Sequence, residues 1–136
     1  YYLPEIQYKL FNFINKHANT SIDLSDGLFS DINKMINKKN LSFEIDLNGV
    51  PISNKLSKLI SLKKVKLENV VSQGDDYQIL FSANKSKSRI INQISKSSKI
   101  KITKIGKIIS GQKGPLIIDK KGNKIAQIYK GFEHQF

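Results

Sequence analysis

Between Thr20 and Ile36 the spacing of apolar residues changes from every second position to the helical period, with only Ser25-Asp26-Gly27 between the two patterns. A chain that does this must run from the end of a strand almost directly into a helix. Ile22 and Leu24 alternate around Asp23, which predicts a short strand over Thr20 to Leu24. Leu28, Ile32, Met35 and Ile36 lie at i, i+4, i+7 and i+8, which predicts an amphipathic helix. On a strand Asp23 and Ser25 project to one face, and Asp26 follows at the turn. Two carboxylates and a hydroxyl therefore gather at the open end of a sheet. Hard divalent cations such as magnesium take oxygen ligands of this kind, completed by water and substrate phosphates. Gly27 permits close backbone approach, and free N–H groups at a helix start favour phosphate oxygens. Ordinary N-capping accounts for Asp26 equally well, and a wet strand face accounts for Asp23.

The remaining pattern is mixed. Ile6, Leu10, Phe13 and Ile14 recur at helical spacing up to about His17, after an extended entry through Pro4. Leu41, Phe43, Ile45 and Leu47 alternate as a half-buried strand, and Asn48-Gly49 turns the chain. A short helix is expected over Asn54 to Leu62, then a loop with a short extended piece over Lys63 to Val71. Tyr77 to Phe81 reads as a strand and Lys85 to Lys96 as a helix. Ile100 to Ile109, Leu116 to Ile118 and Lys124 to Tyr129 read as strands, with a hairpin turn at Lys120 to Asn123. The expected fold is an α+β sandwich, a mostly antiparallel sheet with helices packed on one face.

Composition narrows the classes. The 136 residues suit one domain with its own core, and the absence of cysteine excludes disulfides, thiolate nucleophiles and Cys-ligated zinc. No apolar run reaches the length of a membrane span, and Tyr1-Tyr2-Leu3-Pro4-Glu5 lacks the pattern of a signal peptide. The missing initiator Met suggests a fragment or processed chain, and a cytoplasmic setting is expected. Net charge is +12, yet Arg89 is the sole arginine among 23 basic residues, and no dense basic run is interleaved with aromatics. Nucleic-acid readers lean on arginine forks and stacking platforms, so the charge reads as lysine-rich background rather than a footprint for nucleic acid.

Two further constellations carry polar chemistry. Gln73-Gly74-Asp75-Asp76-Tyr77 is a turn with adjacent acids opening a strand; ordinary turn preference explains it as a solvated turn, and it also suits a cationic or hydroxylated ligand. In the tail, Phe132 and Phe136 flank Glu133 and His134, as a core plug or a substrate platform. His17 and His134 have no second histidine or nucleophile at useful spacing, and no Gly-rich phosphate motif of the Walker or dinucleotide kind occurs. No residue stands out as a catalytic acid, base or nucleophile.

The motifs Ile22-Asp23-Leu24-Ser25-Asp26-Gly27-Leu28, Gln73-Gly74-Asp75-Asp76-Tyr77-Gln78-Ile79-Leu80-Phe81, Ile105-Gly106-Lys107-Ile108 and Gly131-Phe132-Glu133-His134 stand in the order and rough spacing of thiamine-monophosphate kinases. The chain resembles the C-terminal domain of that family, within the aminoimidazole-ribonucleotide-synthetase-like superfamily. The resemblance implies transfer of the γ-phosphoryl group of ATP to thiamine monophosphate, giving thiamine diphosphate, with Mg2+ required. It makes Asp23 and Asp26 magnesium ligands, Ser25 an ATP contact, and Asp75 and Phe132 substrate contacts. It also implies residues 1–19 as domain entry and first helix, and residues 20–136 as the C-terminal domain. The N-terminal ATP-binding domain would lie outside this chain, the full-length protein would be a homodimer, and the isolated chain would be inactive.

Two departures from the family pattern bear on the substrate contacts. The usual Gly-Gly-Glu-Asp-Tyr is Gln73-Gly74-Asp75-Asp76-Tyr77 here, one methylene shorter at Asp75, and one extra residue precedes the final aromatic. The competing readings are another ATP-dependent enzyme of the superfamily and, from a different class, a basic nucleic-acid-binding module.

Overall fold

The computed structural model describes residues 10–36, 40–72, 78–111, 116–119 and 122–125. The elements run α1 (Phe11–His17), β1 (Thr20–Asp23), α2 (Leu28–Ile36), β2 (Leu41–Asp46), α3 (Asn54–Ser61), α4 (Leu67–Val71), β3 (Ile79–Ser82), α5 (Ser88–Ser98), β4 (Gly106–Ser110), β5 (Leu116–Ile118) and β6 (Lys124–Ile125). A 3-10 turn at Lys85–Lys87 leads into α5, with the Asn84 side chain accepting from the Ser86 N–H at 3.0 Å.

The strands form two sheets. β1 and β3 pair antiparallel, and a four-stranded sheet has the order β4-β2-β5-β6. In the larger sheet β2 and β5 are parallel, whereas the β2–β4 and β5–β6 pairings are antiparallel. The expected α+β architecture with mostly antiparallel pairing is present.

Two apolar clusters hold these layers. Leu28, Phe29, Ile32 and Ile36 of α2 pack with Phe43 and Ile45 of β2, Leu67 and Val71 of α4, and Ile117 of β5. Leu10, Phe13 and Ile14 form the second, backed by Phe81 and by Ile90, Ile91 and Ile94 of α5. The small sheet touches both. Leu80 packs against the first cluster and Phe81 against the second, as adjacent residues of a strand must. Phe81 meets Phe13 edge-on, with ring centroids 6.2 Å apart.

Three expectations change. Lys63 to Val71 is not a loop with an extended piece: Leu67 to Val71 is a helix, because Leu67 and Val71, four apart, both bury against the first cluster. The strand expected over Ile100 to Ile109 starts only at Gly106, since Ile100 and Ile102 pack against the second cluster. β2 is more enclosed than a half-buried strand, with Ser42 and Phe43 both buried although they face opposite sides of the sheet.

Gly106 has a packing role. A Cβ there would lie 2.1 Å from the Glu44 carbonyl oxygen and 2.7 Å from Ile45 Cδ1. Beside it Lys107 pairs with Glu44 across the strands at 3.2 Å. The Ile105-Gly106-Lys107-Ile108 motif thus serves the sheet.

Candidate functional site

β1 ends at Asp23, and Leu24 turns inward against the first cluster. Ser21 and Asp23 are the exposed members of the strand's alternation. No hydrogen bond or ion pair engages the Asp23 carboxylate among the described residues, so it stands open to solvent at the sheet end. Ser25 is exposed as well, and its hydroxyl donates to Asp26 Oδ1 at 3.1 Å.

The turn between β1 and α2 is organised from the helix that follows it. Asp31 is 0% exposed, a charge on the inward side of α2. Burying a carboxylate is costly unless its lone pairs are met. Its Oδ2 accepts from the Ser25 N–H at 2.8 Å and the Asp26 N–H at 3.0 Å, and its Oδ1 accepts from Lys34 Nζ at 2.8 Å. Lys34 also donates to Asp26 Oδ2, so one ammonium bridges the two carboxylates. These contacts raise the Lys34 pKa above its ordinary 10.5, through Asp26 first and Asp31 second. Asp26 is therefore an ion-paired carboxylate at a partly exposed edge.

Gly27 closes the turn at φ +105°, in the region that favours glycine. A Cβ at this position would lie 2.4 Å from the carbonyl oxygen of Ser72. Ser72 caps α4, its hydroxyl donating to the Glu68 carbonyl at 2.6 Å, and immediately precedes residues 73–77. On the far side of those five residues, the Gln78 carbonyl accepts from the Leu24 N–H at 2.9 Å. Of the two residues flanking positions 73–77, Gln78 is thus hydrogen-bonded to Leu24 and Ser72 packs closely against Gly27. Ser72 and Gln78, some fifty positions on in sequence, lie against the turn of residues 24–27. Asp75 itself, with Phe132 and the rest of the tail motif, lies outside the described residues.

Among the described residues no three His, Cys, Asp or Glu side chains are grouped to hold a metal ion. Asp23, Asp26 and the Ser25 hydroxyl offer an incomplete oxygen set. Such a set fits magnesium, which commonly takes one or two carboxylates and fills its other positions from water and phosphates. The Lys34 ammonium against Asp26 shows that this carboxylate already holds a cation.

The pattern of apolar residues does not single out Asp31 and Lys34. The available signal was an acid at i+3 within the apolar stripe of Leu28, Ile32, Met35 and Ile36, followed three residues later by a lysine. Elsewhere, a shallow cavity of about 450 Å³ between α1 and α5 is lined by Phe13, Lys16, His17, Ile94 and Ser97 among others, and by none of the turn residues. No described helix is long and apolar enough to cross a membrane.

Comparison with known proteins follows the same lines. Residues 2–119 match the family described as AIR synthase related protein, C-terminal domain. The thiamine-monophosphate kinase of Buchnera aphidicola subsp. Schizaphis graminum is 34% identical over 117 residues, covering 86% of this chain and 36% of that protein. A crystal structure of the thiamine-monophosphate kinase from Stenotrophomonas maltophilia superposes with a TM-score of 0.73 at 25% identity, covering 84% of this chain and 35% of the other. The structure of AaThiL complexed with AMPPCP and TMP gives 0.71 at 28% identity, covering 97% and 38%. The chain spans little more than a third of the length of these relatives. It belongs to the family of AIR synthase related proteins, as their C-terminal domain.

Proposed function

We propose that the chain is the C-terminal domain of a thiamine-monophosphate kinase. In the reaction, a phosphate oxygen of thiamine monophosphate attacks the γ-phosphorus of ATP, the bond to the β–γ bridging oxygen breaks, and thiamine diphosphate and ADP leave. The observation that carries this reading is the junction at residues 24–27, where the Asp-Leu-Ser-Asp-Gly turn receives both flanks of residues 73–77. The relatives support the choice of substrates, since one was solved with TMP and with AMPPCP, an analogue of ATP.

Phosphoryl transfer asks a protein mainly for positioning and for neutralisation of charge. Asp23 and Asp26 would hold magnesium, which when bound supplies charge compensation for the transferring phosphoryl group. Ser25 would contact ATP, while Asp75 and Phe132 would meet thiamine monophosphate. An N-terminal domain beyond this chain would complete the nucleotide pocket, with the full-length protein a homodimer in the cytoplasm, where ATP is supplied. Residues 1–19 would serve as the entry from that domain, and residues 20–136 as the C-terminal domain proper.

The test is a chimaera in which this chain replaces the corresponding part of the Buchnera relative. With thiamine monophosphate and MgATP the chimaera should form thiamine diphosphate, and the 136-residue chain alone should form none. Turnover by the chain alone would contradict the division of labour. A folded chimaera that turns over aminoimidazole precursors instead would contradict the substrate.

A further inference from the structure

Lys34 places its ammonium on Asp26 Oδ2, an oxygen that the proposed function offers to magnesium. The same ammonium is held on its other side by Asp31 Oδ1 at 2.8 Å, and the remaining Asp31 oxygen is committed to the Ser25 and Asp26 amides. Asp31 is thus fixed in position by the backbone of the turn, whereas Lys34 is anchored to a buried charge at one end and lies at an exposed edge at the other. Its side chain is 46% exposed.

We infer that Lys34 is a tethered counter-cation, which occupies Asp26 until a divalent ion displaces it. This rests on the reading of Asp26 as a metal ligand. An ammonium and a dication cannot share one carboxylate oxygen without repulsion, so metal entry moves Lys34 off Asp26. The displaced ammonium keeps its contact with Asp31, and the turn keeps its backbone hydrogen bonds, because Asp31 binds the two amides through the other oxygen. The arrangement offsets part of the negative charge of the Asp26–Asp31 pair without metal and lets the ammonium leave Asp26 without refolding the turn. Lys34 is in this sense a positioning residue for the cation edge: it sets how strongly Asp26 competes for a divalent ion.

The consequence is measurable with metal alone. Mn2+ affinity of the chain is read from the free Mn2+ signal in electron paramagnetic resonance, for wild type, Lys34→Met, Lys34→Arg and Asp26→Asn, and for the double variant Asp26→Asn with Lys34→Met. Removing the competing charge should tighten Mn2+ by about threefold to tenfold in Lys34→Met. Lys34→Arg, which keeps the charge, should stay near wild type, and the gain should vanish in the double variant. Equal affinity in wild type and Lys34→Met, with Asp26→Asn still weakening binding, overturns the role of Lys34 and leaves Asp26 a metal ligand. No effect of Asp26→Asn in either background, or no measurable Mn2+ binding by Lys34→Met, overturns both.

Discussion

Asp31 sits fully buried on a helix whose other inward residues are Leu28, Phe29, Ile32 and Ile36. An acid survives in that position because three donors converge on it, two of them amides of the turn that leads into the same helix. Replacing Asp31 with Ala should cost about 2–3 kcal/mol, because the turn amides lose their acceptor and Lys34 loses its inner anchor. Urea unfolding of the two proteins checks this, and a loss below about 0.5 kcal/mol would mean water replaces the carboxylate without penalty. The polar identities of Asp23, Ser25 and Asp26 were legible from the strand-to-helix switch alone. What each carboxylate touches was not, since Lys34 reaches Asp26 across two turns of helix and the pattern of apolar residues is silent about ion pairs.

Elements divide between those fixed by local pattern and those fixed by packing. α2 and β2 followed from the periodicity of Leu28 to Ile36 and the alternation of Leu41 to Leu47, because each buries one continuous face. α4 did not, because its five residues carry a single turn and two β-branched valines at Val70 and Val71, and only burial of Leu67 and Val71 makes it a helix. That short helix matters, since it delivers Ser72 to the face of Gly27. Gly27→Ala should therefore do two things at once. It places a side chain in a backbone region that disfavours one, and it drives a Cβ into the Ser72 carbonyl. A loss of about 2–3 kcal/mol is expected in thermal unfolding, with faster exchange of the Leu24 amide as the junction loosens. Full retention of stability would show that residues 27 and 72 separate freely.

In the molecule as a whole, the small β1–β3 sheet stands between two apolar clusters and carries residues of both motifs to one end. Pairing Asp23 with Ile79 puts the exit of one strand beside the entry of the other, so topology rather than sequence proximity brings the Asp-Leu-Ser-Asp-Gly turn to Ser72 and Gln78. The α+β class could be read from the order of periodic segments, yet the parallel pairing of β2 with β5 and the separation into two sheets could not, because strand partners are chosen by long-range packing. In the proposed function the nucleotide-bound cation would sit at the turn of residues 23–27. Paramagnetic broadening of backbone amides by MnATP tests that most directly. Ser25, Asp26 and Gly27 should broaden first, with Ser72 and Gln78 next, while Ser97 and Ser98 beside the α1–α5 cavity stay sharp. Broadening centred on Ser97 and Ser98, with the turn at residues 25–27 untouched, would contradict it.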